Sequence, residues 1–194
     1  MKRDITEHLR EWIAAGGGRV GQVAVRATPE GWELRHEDDS ERGDLSLSVR
    51  WQEARQLAAL DDAGAFRPLK TQRNLRHGWR MLLPDAESAR RALDYFYPSM
   101  LGVWRAHTLR ELVPVPLPTT LERQTGMYAA TKKLTAPEAE AVVAGLCSGC
   151  LKRRLWGIAA PDDSPVEASA TLLCHEACNL FVAEARKVVK ARPA

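Results

Sequence analysis

The sequence lacks most of the features that would name a function at once. No apolar run approaches the ~20 residues of a membrane-spanning helix, and the net charge of +3 is too small by itself to imply a nucleic-acid partner. The N-terminal residues place Glu7, Arg10 and Glu11 where a secretory signal would need an apolar core. A cytoplasmic protein is therefore expected, one with no membrane partner. There is no internal repeat and no low-complexity tract. Gly16-Gly17-Gly18 follows a helix and leads into a strand, the wrong context for a phosphate-binding loop. Nucleophile-elbow and paired-histidine zinc-protease motifs are absent as well. Hydrophobic residues at 45% and charged residues at 27% are ordinary for a globular chain.

Cysteine is scarce too, but its placement is not random. The four cysteines form two pairs, Cys147-Ser-Gly-Cys150 and Cys174-His-Glu-Ala-Cys178. A two-residue gap with Gly149 in it allows a tight turn that aims both sulfurs at one centre. A three-residue gap does the same on a helix, where i and i+4 share a face. In a reducing compartment paired cysteines more often bind metal than each other. Four thiolates, from Cys147, Cys150, Cys174 and Cys178, are the ligand set of a structural zinc or an iron–sulfur cluster, and spacing alone leaves the two open. His175 is a poor ligand candidate, because four cysteines already complete the site.

The rest of the chain reads as α+β, a small mixed domain over residues 1–118 followed by a mostly helical four-cysteine domain over 119–194. Asp4 with Glu7 forms a capping box for a helix bearing Ile5, Leu9, Trp12 and Ile13. Alternation predicts strands at Val23–Ala27, Trp32–His36, Leu45–Val49 and Trp79–Leu83, the first two joined by the turn Thr28-Pro29-Glu30-Gly31. The acidic segment Glu37–Glu41 is expected as an exposed loop, and a helix is expected from Trp51 to Leu60. Asp85 caps a helix reaching Tyr97. Its Phe96 and Tyr97, with Tyr95 and Trp104, are better core than a stacking platform. Val113-Pro114-Val115-Pro116-Leu117-Pro118 excludes helix and central strand and predicts an extended connector. Thr135 and Glu138 make a second capping box, with Ala139, Val142, Val143 and Leu146 on that helix's buried face. Cys174 and Cys178 are expected to open the last helix, continued by Phe181, Ala185 and Val188.

One stretch has unusual charge. Between Ala63 and Pro84 there are five basic residues, Arg67, Lys70, Arg73, Arg76 and Arg80, and no acidic one. With Asn74 and His77 they could hold a carboxylate- or phosphate-bearing ligand, Arg67, Lys70, Arg73 and Arg76 being the candidate anion-binding residues. The competing reading is a solvated face. A zinc-stabilised module that contacts nucleic acid or an acidic protein through this segment is the alternative to a cluster protein.

Several segments together resemble the iron–sulfur region associated with CbiX-type sirohydrochlorin chelatase proteins: Arg67-Pro68-Leu69-Lys70-Thr71, Asn74-Leu75-Arg76-His77-Gly78-Trp79, Tyr97-Pro98, Leu121–Tyr128 and the four cysteines. The resemblance implies an α+β stabilising domain followed by a domain that binds a 4Fe-4S cluster through Cys147, Cys150, Cys174 and Cys178. It also implies a redox or accessory role in tetrapyrrole (sirohydrochlorin or cobalamin) metabolism. The partners implied are a chelatase or electron-transfer protein and an anionic tetrapyrrole. The chelatase unit of that family is a separate α/β domain with metal-binding histidines, and this chain has no βαβ succession that could be one. No self-contained catalytic site is visible.

Overall fold

A computed structural model describes residues 4–66, 74–111, 115–147, 171–172 and 177–192. It is α+β, and the described residues form two compact units that divide near residue 112.

In the first unit, helix α1 (Ile5–Ala14) starts at Asp4, whose carboxylate accepts from the Thr6 amide at 3.3 Å. The expected reciprocal half of the capping box does not form, because Glu7 pairs with Arg10 one turn on. Strands β1 (Arg19–Val20), β2 (Val23–Thr28) and β3 (Gly31–His36) then run antiparallel. Thr28 pairs directly with Gly31, so the turn is the two residues Pro29 and Glu30. Gly31 has φ +136°, and a Cβ there would lie 2.3 Å from the Leu83 carbonyl oxygen. Strand β4 (Ser46–Ser48) follows, then a short 3-10 turn at Trp51–Glu53, helix α2 (Ala54–Ala59) and strand β5 (Trp79–Leu83). The sheet order is β1-β2-β3-β5-β4, with β5 antiparallel to β3 and parallel to β4.

Helix α3 (Ala86–Phe96) is capped by Asp85, which accepts from the Ser88 amide at 2.7 Å, and α4 (Leu101–Thr108) follows it. Period-2 alternation gives one sheet face Val25, Leu34 and Met81, all buried, and α1 and α3 pack against the sheet. Trp79 stacks on Phe96 with ring centroids 4.8 Å apart, and Tyr97 is fully buried, its hydroxyl accepting from the Gln22 amide at 2.7 Å. Phe96, Tyr97 and Trp104 are thus core, while Tyr95 stacks on Trp51.

On the opposite face Glu33 is buried, hydrogen-bonded by Arg35 and by Arg80. Burial raises the carboxyl's pKa, but the hydrogen bonds and charge of Arg35, then Arg80, outweigh it and hold Glu33 below the ordinary glutamate value. The segment Glu37–Glu41 differs from the expected exposed loop. Residues Glu37–Asp39 form a 3-10 turn, and Asp39 is buried, accepting from the Gly78 amide at 2.6 Å and from Arg42 at 3.3 Å. An acidic run reads as solvated only when no backbone amide needs an acceptor, and here one does.

The second unit begins with strand β6 (Val115–Pro116), antiparallel to β7 (Thr171–Leu172), and helix α5 (Leu117–Glu122). This corrects the expected connector. Pro118 falls in the first helical turn, where an amide would have no intrahelical partner anyway, and Pro116 lies in a two-stranded ladder whose strands are both edges. A 3-10 stretch Gly126–Lys133 leads to helix α6 (Ala136–Cys147). Both halves of its capping box are present. The Thr135 amide donates to Glu138 at 2.7 Å, and the Glu138 amide to the Thr135 hydroxyl at 3.5 Å. Helix α7 (Asn179–Lys190) closes the unit. Leu117, Leu121, Ala139, Val142, Val143, Ala177, Phe181 and Val182 form its buried core. No helix among the described residues is long and apolar enough to cross a membrane.

Candidate metal centre and basic segment

Two of the four cysteines can be placed. Cys147 is the last residue of α6 and Cys178 immediately precedes α7, while Cys150 and Cys174 lie outside the described residues. Arg192, just past the end of α7, bonds Glu138 in the first turn of α6 and the Lys133 carbonyl before it. With α6 and α7 sharing a core, these bonds make the two helices antiparallel. Each spans 12 residues, so the end of α6 that carries Cys147 and the start of α7 that carries Cys178 lie at the same end of the pair. The Arg192 hydrogen bond, then that of the Thr135 amide, lowers Glu138 to about 2, so the clamp keeps its charge at neutral pH.

Cys178 itself departs from expectation. Its backbone is extended (φ −75°, ψ 164°) and the helix starts at Asn179, so Cys178 is not the i+4 member of a helical pair with Cys174. Its carbonyl accepts from the Val182 amide at 3.0 Å, while its thiol makes no capping bond, is exposed and is in no disulfide. A free, accessible thiol fits a thiophilic metal. The positive end of the α7 dipole favours negative charge beside it. Nearby, the Tyr128 hydroxyl bonds Asn179 at 2.5 Å and Arg186 donates to the Met127 carbonyl at 2.6 Å, fixing the 3-10 stretch against the first turns of α7.

The basic segment is less uniform than its composition suggests. Arg67, Lys70 and Arg73 lie outside the described residues. Arg80 is engaged by buried Glu33, a carboxylate brought from another strand, which is why a window of sequence showed no acid near it. Asn74 accepts from Gln22 at 3.3 Å. His77 faces the carboxylates of Asp38 and Asp62, surroundings that oppose an anion. Arg76 has its Nε buried without a hydrogen-bond partner among the described residues.

Residues 5–108, more than half of the 194-residue chain, match the model of the DR2241 stabilising domain. The chain belongs to that family. The remainder of this stabilising-domain protein, residues 109–187, matches a 4Fe-4S iron-sulfur cluster binding domain, and the region that holds all four cysteines is therefore an iron–sulfur cluster binding region. The crystal structure of DR2241 from Deinococcus radiodurans is similar to this chain at 33% identity and a TM-score of 0.73. The alignment covers 97% of this chain and 41% of DR2241, so the chain spans less than half the length of that protein. DR2241 is described as a multi-domain protein with structural similarity to chelatases but also with two additional novel domains. No curated protein matches.

Proposed function

We propose that this chain carries a 4Fe-4S cluster on Cys147, Cys150, Cys174 and Cys178 and serves as a redox or accessory module for a chelatase-type enzyme of tetrapyrrole metabolism. The observation that carries the reading is the match of residues 109–187 to a cluster-binding domain, because those residues hold every cysteine of the protein. The meeting of the α6 and α7 ends supports it, since two ligands from distant sequence are delivered to one end of a helix pair. When bound, such a cluster supplies one-electron transfer, or a cross-link that fixes the fold. The chain's own part is to present thiolates and to offset the cluster's negative charge with the α7 N-terminus.

The tetrapyrrole assignment rests on the printed likeness of DR2241 to chelatases. A chelatase or electron-transfer protein is the proposed partner, and an anionic tetrapyrrole the proposed ligand of Arg67, Lys70, Arg73 and Arg76. Anaerobic purification followed by iron, sulfide and zinc analysis tests the centre. About four irons and four sulfides per chain are expected for a cubane cluster, with colour that bleaches on reduction and is lost in Cys178→Ser. Colourless, iron-free protein with one zinc per chain would replace the cluster by a structural metal. Full metal content in Cys178→Ser would remove that residue from the ligand set.

A further inference from the structure

A different group of donors lies in the first unit, away from the cysteines. His36, the last residue of β3, is fully buried. Its Nδ1 accepts from the Asp38 amide at 3.2 Å, which marks Nδ1 as the nitrogen without hydrogen and leaves the hydrogen on Nε2. His77 stands against it with ring centroids 4.0 Å apart. The Nδ1 of His77 lies 3.3 Å from both carboxylate oxygens of Asp62, so its hydrogen goes there and the Nε2 lone pair points elsewhere. That Nε2 is 3.6 Å from Oδ2 of Asp38, and the same oxygen is 3.7 Å from His36 Nδ1. One ligand atom from each of His36, Asp38 and His77 lies within 4.8 Å of the other two.

The Nε2 lone pair of His77 and the Asp38 oxygen beside it repel each other unless a proton or a cation lies between them, and a metal cation there would take the Nδ1 lone pair of His36 in exchange for the Asp38 amide hydrogen. The surroundings hold this arrangement in place. The His77 amide donates to Asp62 at 2.7 Å and the next amide, Gly78, to buried Asp39 at 2.6 Å, so the backbone at His77 and Gly78 is held in place. The Asp62–His77 contact is the carboxylate–histidine pair that orients and strengthens an imidazole ligand.

From this geometry we propose that the first unit binds one divalent transition-metal ion through His36, His77 and Asp38, with Asp62 as the positioning residue for His77. The donor set, two imidazoles and one carboxylate, suits zinc, cobalt or nickel rather than magnesium or calcium. Ligand atoms on a tetrahedral zinc lie ~3.3 Å apart, so closure needs under about 2 Å of movement. The movement is available, because the Asp38 side chain is 70% exposed and that of His77 35%. A fourth position remains for water or a metal-bound ligand.

The test is an anaerobic titration of the full chain with Co2+, comparing wild type with His77→Ala, Asp38→Asn and Asp62→Asn. Thiolate ligands add sulfur-to-metal charge-transfer absorption that an imidazole–carboxylate site lacks, so the spectrum separates this site from the cysteines whatever they hold. The expected result is one Co2+ per chain bound without that absorption, lost in His77→Ala and Asp38→Asn and weakened ~10–100-fold in Asp62→Asn. Thermal melts without metal provide the folding control, and Asp38→Asn alters an exposed side chain. Equal uptake with the same spectrum in all four proteins overturns the site, as does uptake confined to thiolate ligands.

Discussion

Replacing Phe181 by alanine tests whether the core of the second unit and the placement of Cys178 are one structure. Phe181 is 3% exposed and lies in the first turn of α7, three residues after Cys178, against a core with eight buried hydrophobic residues among those described. Removing a buried phenylalanine costs ~3–5 kcal/mol through lost transfer energy and the cavity left behind. A single core in a unit of under about 80 residues rarely supplies more than ~3–5 kcal/mol in total. In metal-free protein the substitution should therefore unfold α6 and α7, seen as a loss of far-ultraviolet helical signal in denaturant titrations. Five of the six tryptophans, Trp12, Trp32, Trp51, Trp79 and Trp104, precede residue 112 and only Trp156 follows it, so tryptophan fluorescence reports chiefly the first unit and should keep most of its intensity. Metal retention should fall with helicity, because the site exists only in the folded chain. A variant that loses less than ~1 kcal/mol and keeps its metal would show that Phe181 does not hold the start of α7 in place.

The first unit offers further tests. Glu33→Gln leaves Arg35 and Arg80 beside a neutral amide and should cost roughly 2–3 kcal/mol at neutral pH, measured by urea melts. Because the folded carboxyl lies below the ordinary value of 4.5, its contribution is complete above pH 4.5 and is lost as pH falls through the folded value, a loss the variant should lack. Burial, then the neighbouring His77, lowers His36 below 6.5 despite Asp38, Asp39 and Glu37. The unfolded chain thus binds the proton first. Wild-type stability should decline as pH drops from 6.5, and His36→Gln should flatten that part of the profile. Gly31→Ala combines φ +136° with a Cβ 2.3 Å from a backbone oxygen, and a cost of at least ~2 kcal/mol is expected. A melting temperature equal to wild type would refute the strain.

The elements that sequence revealed were those with one dominant local signal. The β2–β3 hairpin had alternation and a turn between its strands, α3 had Asp85, and α6 had a reciprocal Thr135–Glu138 cap, and each stands where those signals put it. Two of the misreadings share a cause, which is that the deciding partner was remote in sequence. Asp39 looked solvated because the amide that buries it belongs to Gly78, 39 residues away. Arg80 looked available because Glu33 is 47 residues distant. Proline in the 113–118 segment was weighed by what it forbids inside a helix, and Pro118 occupies the one turn where that objection lapses. The cysteine pattern was legible as a metal signal but not as geometry. A three-residue gap suggested a helical face, whereas Cys178 is extended and the helix begins after it.

That difference has a mechanical consequence at the metal centre. A ligand inside a helix is held by hydrogen bonds on both sides, but Cys178, the proposed ligand, is held among the described residues only by its carbonyl, which accepts from Val182. Its position therefore depends on how firmly the first turn of α7 is anchored. Three contacts supply the anchor: Phe181 in the core, Asn179 to the Tyr128 hydroxyl, and Arg186 to the Met127 carbonyl. Tyr128→Phe removes the second without changing the ring, so its effect on global stability should be small, ~1 kcal/mol. Its effect on the metal should be larger in proportion, because the lost bond lies one residue from the proposed ligand Cys178. Faster metal release to a chelator, with a nearly unchanged denaturation midpoint, is the expected result. Release at the wild-type rate would mean that the Tyr128–Asn179 bond does not help to hold Cys178.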